Sequence, residues 1–200
     1  MSKLSNQKVI AITGSMGSGK SKVSELLSQT YPVIDCDRIN EVLLKKGNEG
    51  YEELIKKPYI QLLENGEIDK VAMSQCMFTD FNIKKEVEHI LHPLIFSKID
   101  EWVSQQESFC VFVEVPLLFE IHAQSHFDAV WCVVCDEDIA LERLQKYRHV
   151  SCEEAKRRLN TQMSVEEKKS KSDVILLNNG SIEELKKQIQ IELERLETAC

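Results

Sequence analysis

Gly14-Ser15-Met16-Gly17-Ser18-Gly19-Lys20-Ser21 carries the clearest chemistry in this chain of 200 residues. It fits the spacing G-x-x-x-x-G-K-[ST], in which backbone amides, an ammonium and a hydroxyl converge on phosphate oxygens. Glycines allow backbone angles closed to other residues, so successive N–H groups can point inward, and the helix start that follows adds partial positive charge. On this reading Lys20 bridges the β- and γ-phosphates and the Ser21 hydroxyl ligates Mg²⁺. The bland alternative is a Gly-rich turn; the apolar strand pattern before the segment and the helical pattern after it favour the phosphate loop.

A phosphate loop serves switches as well as enzymes. Switch GTPases use an Asp-x-x-Gly element and an Asn-Lys-x-Asp guanine reader, and neither occurs, since no Gly has Asp three residues before it. Phosphoryl transfer or hydrolysis remains. Asp35-Cys36-Asp37 closes a strand candidate, and in a parallel sheet the carboxyl ends of strands lie beside the first loop. A carboxylate there can orient an acceptor hydroxyl and receive its proton. If the strand persists, alternation turns Asp35 and Asp37 to the same side, so one can act while the other positions it; alternatively both cap the next helix. Arg143 and Arg148 are candidates for closing over the transferring phosphoryl group, because planar guanidinium matches charge developing on its oxygens. They belong to a basic cluster with Lys146, Lys156, Arg157 and Arg158, whose bland reading is a solvated helix face.

These groups need a scaffold. Five short apolar stretches, Lys8 to Thr13, Pro32 to Asp35, Phe109 to Val115, Ala129 to Cys135 and Asp173 to Leu177, alternate with helical patterns. Continuous apolar runs of that length read as parallel strands buried on both faces, so the predicted class is α/β. Ser151 with Glu154, Ser164 with Glu167 and Ser181 with Glu184 have capping-box spacing and mark helix starts. Residues 38 to about 104 carry no convincing strand; their helical runs are expected to break near Gly47 to Gly50, Pro58, Gly66 and Pro93.

Composition excludes other classes. Hydrophobic residues make up 42% and charged residues 29%, enough for a sizeable core and against global disorder. A net charge of −8 argues against nucleic acid as a partner. No export signal or membrane-spanning run is read, so a cytoplasmic location and reduced, mostly buried cysteines are expected. His122-x-x-x-His126 before Cys132-x-x-Cys135 has a superficial zinc spacing, but two residues an odd number apart on a strand face opposite ways, and zinc is not expected.

The ordered blocks resemble the dephospho-CoA kinase family from about Val9 to Gly180. They are the loop Ile12 to Ser21, Ile34-Asp35-Cys36-Asp37, Asn65-Gly66-Glu67-Ile68-Asp69, His89-Ile90-Leu91-His92-Pro93-Leu94-Ile95, Val115-Pro116-Leu117-Leu118-Phe119-Glu120, Arg143-Leu144, Gln162 and Asn178-Asn179-Gly180. The resemblance implies a kinase that uses ATP and Mg²⁺ to phosphorylate the ribose 3'-hydroxyl of dephospho-CoA. It implies a P-loop three-layer fold with a five-stranded parallel sheet: core at 1–37, 105–137 and 170–200, a helical acceptor-binding insertion at about 38–104, and a lid at about 138–169. It implies Asp37 as base, Arg143 and Arg148 on the lid, His92 in the acceptor region, Asn178 and Gly180 beside adenine, and Gly14 to Lys22 around the phosphates. A monomer or weak homo-oligomer is expected. For His92, capping of a helix end stands beside substrate contact. Three positions depart from the family pattern: Lys22 where Thr is usual, Ala140 for a common lid Gln, and Lys70 for Arg. Other P-loop small-molecule kinases and a non-catalytic nucleotide-binding regulator are the rival readings.

Overall fold

The computed structural model describes residues 7–148 and 150–198. Five strands, β1 (Lys8–Gly14), β2 (Val33–Asp35), β3 (Cys110–Glu114), β4 (Ala129–Val134) and β5 (Val174–Leu177), form one parallel sheet in the order β2-β3-β1-β4-β5. The strands fall within a residue or two of their predicted places, because each is short, apolar and bounded by polar or turn residues. Central β1 pairs with β3 from Lys8 opposite Cys110, and with β4 from Ile10 opposite Ala129.

The chain divides into two compact units, one formed by the sequence up to Ile34 and from Gln106 onward, the other by Asp35–Gln105. In the first, helices α1 (Lys20–Leu27) and α9 (Ile182–Thr198) cover one sheet face. Ile10, Ile12, Phe112, Trp131 and Val133 point there and pack with Val23, Leu27, Leu185 and Ile189. The rings of Phe112 and Trp131 meet edge to face, with centroids 5.2 Å apart. Alternate residues Ala11, Val111, Val113 and Cys132 face the other way and are equally buried. Between β4 and β5 run α6 (Glu137–Arg148), α7 (Cys152–Leu159) and α8 (Val165–Ser170).

The second unit consists of α2 (Cys36–Leu43), α3 (Glu49–Leu54), α4 (Lys70–Thr79) and α5 (Phe81–Ser104) around Leu44, Tyr51, Leu54, Met73, Val87 and Leu91. Its only bridge among the described residues is an isolated antiparallel one between Leu62 and Ile68. The expected break at Pro93 is overturned: α5 runs through it. Proline there leaves the His89 carbonyl without its intrahelical donor, but Val87, Leu91, Ile99 and Val103 bury one continuous face on both sides, and that packing outweighs the lost bond.

Two predicted capping boxes close in both directions, at Ser164 with Glu167 and at Ser181 with Glu184. At Ser151 the hydroxyl accepts the Glu154 N–H, but the Glu154 carboxylate turns to Arg157 and Arg158, each at 2.7 Å. No helix among the described residues is long and apolar enough to cross a membrane.

Phe112 sits where the aromatic contacts of this core meet. Replacing it by Ala is expected to lower unfolding free energy by about 3–5 kcal/mol in denaturant titrations followed by circular dichroism. A loss below about 1 kcal/mol would mean that the cluster does not hold the sheet to its helices.

Candidate active site

The loop between β1 and α1 takes its shape from glycine. Gly17 has φ +79° and Gly19 φ +97°, both in the left-handed region. A Cβ at Gly17 would lie 2.7 Å from the Ala140 carbonyl oxygen, and one at Gly19 would overlap the Asn178 amide. Gly19 is also the N-cap of α1 and has no side chain to occupy the first amides of that helix. The Lys20 and Ser21 N–H groups therefore stand at a positive helix end.

The loop's carbonyls are held from behind. Lys20 Nζ donates to Gly14 O at 2.9 Å and Ser15 O at 3.0 Å. Arg143, on α6, donates to Ser18 O at 3.3 Å and to Asn178 O at 3.0 Å. The Asn178 Nδ2 donates to Ser18 O at 2.8 Å, and the Cys135 thiol to Gly17 O at 3.7 Å. Burial pushes the Cys135 thiol up, so it remains a donor. With acceptors thus engaged, the loop can offer donors to an anion.

Lys20 is enclosed at its ammonium end although part of the side chain reaches the surface. Desolvation draws its pKa down to about 8, against the opposing pull of Glu114; the charges of Lys168 and Arg148 push the same way as burial. Arg148, exposed at the end of α6, is therefore near enough to act electrostatically on Lys20.

Glu114 is the functional candidate that sequence reasoning passed over. It ends β3 at 6% exposure, and its two oxygens accept the Ser21 hydroxyl at 3.1 Å and the Ser24 hydroxyl at 2.6 Å. A lone carboxylate closing an otherwise apolar strand was the available signal, because burying a charge is costly unless it is used. Ser21 Oγ and Glu114 Oε1 are hard oxygen donors of the kind Mg²⁺ takes, alongside phosphate oxygens and water. No group of three His, Cys, Asp or Glu side chains gathers to cage a metal among the described residues.

The remaining sequence candidates fall as follows. Asn178, Asn179 and Gly180 link β5 to α9; Asn179 Oδ1 accepts the Asp136 N–H at 2.8 Å, while a Cβ at Gly180 would overlap the Glu184 carboxylate. Lys22 is turned outward and pairs with Glu25 at 2.8 Å. Arg157 and Arg158 hold the Glu154 carboxyl down to about 2 and belong to a solvated face, as the bland reading of the basic cluster had it.

Asp37 and His92 belong to the other unit. The strand does not persist through Asp37, contrary to the expectation that placed both acids on one side. Instead α2 begins at Cys36, and the Asp35 carboxylate caps it by accepting the Asp37 N–H at 2.8 Å. Asp37 is exposed in the first turn of α2. His92 lies in the interior of α5, which removes helix-end capping as its role; burial lowers its pKa while Glu88 opposes.

A glycine loop joining the central strand of a parallel sheet to a helix, with a lysine and a serine at that helix start, is the arrangement of P-loop nucleotide-binding proteins. The dephospho-CoA kinase family model matches residues 8–184. The chain is 35% identical to the dephospho-CoA kinase of Oceanobacillus iheyensis, over 94% of this chain and 96% of that protein. It superposes on TT1252 from Thermus thermophilus with a TM-score of 0.85 at 32% identity, covering 96% of this chain and 98% of the other. For the dephospho-CoA kinase from Campylobacter jejuni the TM-score is 0.69 at 28% identity, with the same coverage. The chain belongs to the dephospho-CoA kinase family.

Lys20 provides a titration test. Without a ligand its pKa of about 8 leaves it mostly neutral at pH 9, and a bound triphosphate raises the pKa again, so ATP binding at that pH takes up most of a proton. Calorimetry in two buffers of different ionisation enthalpy measures the uptake, which should vanish in Lys20→Met and fade at pH 7. Equal heats in both buffers at pH 9 would show that Lys20 does not meet the phosphates.

Proposed function

We propose that this chain transfers the γ-phosphoryl group of ATP to the ribose 3'-hydroxyl of dephospho-CoA, giving CoA and ADP. The phosphate loop carries the proposal: its carbonyls are tied back, Lys20 lies across it, and the Ser21 hydroxyl stands against a buried carboxylate. Membership of the dephospho-CoA kinase family supports the choice of acceptor.

In this reading the amides from Gly17 to Ser21 receive the phosphates, and Lys20 leaves the Gly14 and Ser15 carbonyls to bridge the β- and γ-oxygens. Arg148 adds positive charge as the phosphoryl group moves. Arg143 acts by holding the loop and the Asn178 turn, beside which the adenine lies with Gly180. Ser21 and Glu114 would hold Mg²⁺, which would supply positive charge against the phosphate oxygens. Lys22 reaches an α-phosphate only by giving up Glu25. Asp37 accepts the proton of the acceptor hydroxyl, its backbone pinned by the Asp35 cap, and His92 contributes to acceptor binding. The protein works in the cytoplasm as a monomer or weak homo-oligomer, with ATP and dephospho-CoA as partners and neither nucleic acid nor membrane.

Purified protein with ATP and Mg²⁺ should form CoA from dephospho-CoA in a coupled assay, with AMP, CMP and shikimate as poor acceptors. Preference for one of those three would reassign the substrate. Asp37→Asn is expected to lower turnover by about 10²-fold or more while ATP affinity persists. Near-normal turnover in that variant would take the base role away from Asp37. ADP production that survived Lys20→Ala unchanged would refute the loop assignment.

A further inference from the structure

Glu120 has no part in the chemistry above, yet it sits at a junction. It follows Leu118 and Phe119, which are 0% and 1% exposed and fix the segment after β3 in the core. Glu120 Oε1 accepts the Met163 N–H at 3.0 Å, in the connector between α7 and α8. The same oxygen lies 2.8 Å from Lys168 Nζ, a fully buried ammonium on α8. That contact is close in distance but lacks hydrogen-bond alignment, and the ammonium finds no hydrogen-bond acceptor among the described residues.

A buried pair of this kind contributes little net stability, since desolvating both charges offsets their attraction. Its effect is on placement. The residue before Met163 is Gln162, whose Oε1 accepts the Met16 N–H at 3.0 Å in the phosphate loop. The Met16 side chain packs against Leu141, Leu144 and Ala155. At Met16 the loop is thus tied to the α6–α8 segment by one apolar contact and one hydrogen bond, beside the Arg143 contacts further along it, and the Met16 hydrogen bond depends on where the connector lies.

We propose that Glu120 is a positioning residue for the phosphate loop: it fixes the α7–α8 connector, and the connector's Gln162 holds the Met16 amide so that the amides from Gly17 onward face the triphosphate. The proposal rests on the reading that this loop binds ATP. Lys168 serves as the counter-charge that holds the Glu120 carboxylate in place.

The test is a double-mutant cycle read by the Kd of a fluorescent ATP analogue without acceptor. Gln162→Ala removes the acceptor of the Met16 amide. Because Glu120→Ala would strand a buried cation and can fail to fold, Glu120 is removed together with its partner as Glu120→Leu with Lys168→Met, which refills the space with apolar atoms. Each arm should weaken the analogue by about threefold to tenfold, the scale of one hydrogen bond. Combining them should weaken it no further than the weaker-binding arm alone, and KM for ATP should rise while KM for the acceptor stays constant. Multiplicative losses, or an unchanged Kd in either arm, would overturn the relay.

Hydrogen exchange at the Met16 amide is measured on the same proteins without nucleotide. Protection should fall in both arms; full protection in either also overturns the proposal. That readout is independent of substrate, so a wild-type protein that failed to make CoA would sink the functional reading and leave this one to be judged on its own.

Discussion

A phosphate loop must present donors to an anion while its own carbonyls, chained to the same peptide planes, are kept from repelling it. Here the carbonyls of Gly14, Ser15, Gly17 and Ser18 are occupied by Lys20, Cys135, Arg143 and Asn178. Each donor needs space close to the backbone, which explains why the loop is glycine at Gly17 and Gly19: any Cβ would fall on the elements that supply or flank these donors. The glycines are as much a packing requirement as a torsional one.

The parallel sheet is what makes this many donors available. Arg143 comes from the helix after β4, Asn178 from the turn after β5 and Cys135 from the residue after β4, while the acceptor Glu114 closes β3. All stand at or beyond the carboxyl ends of strands, which a parallel sheet gathers on one edge. Because β1 lies between β3 and β4, its loop receives the carboxylate from one neighbour and close backbone contact from the other. The gathering has a cost at Lys20: burial lowers its pKa, Glu114 opposes this, and the charges of Lys168 and Arg148 add to the lowering. The loop is therefore poised for polyanionic phosphate, whose arrival reverses the imbalance.

Features that depend on neighbours in sequence were legible; those that depend on neighbours in space were not. The loop, the five apolar strands and two full capping boxes are local patterns, and they stand where the residues indicated. The half-formed box at Ser151 shows the limit, since Glu154 had two arginines within reach on the next helical turn and took them instead. Asp35 and Asp37 share a side only if the strand persists, and the capping alternative prevails at Asp35: an Asp that caps a helix ends the strand at itself. Pro93 was read as a break from local rules alone, and a long buried helix face overrode them. Glu114 was hidden because a single charge inside an apolar run resembles a strand end, and only its contacts with Ser21 and Ser24 reveal its use.

The departures from the family pattern can be weighed in the same terms. Ala140 approaches Gly17 through its backbone oxygen and Cα, atoms that any residue supplies, so losing a Gln side chain there leaves the loop contact in place. Lys22 projects from α1 toward Glu25 on the exposed side, so its charge is largely spent in a solvated pair that contributes little. Neither side chain is among the donors to the Gly17 and Ser18 carbonyls, which Cys135, Arg143 and Asn178 hold independently of Lys20. The parts that would meet phosphate, which every nucleoside triphosphate shares, are the loop amides, Lys20 and the Ser21–Glu114 pair. Selection among acceptors therefore has to come from residues outside the loop, which is where the proposed reading puts Asp37 and the half-buried imidazole of His92.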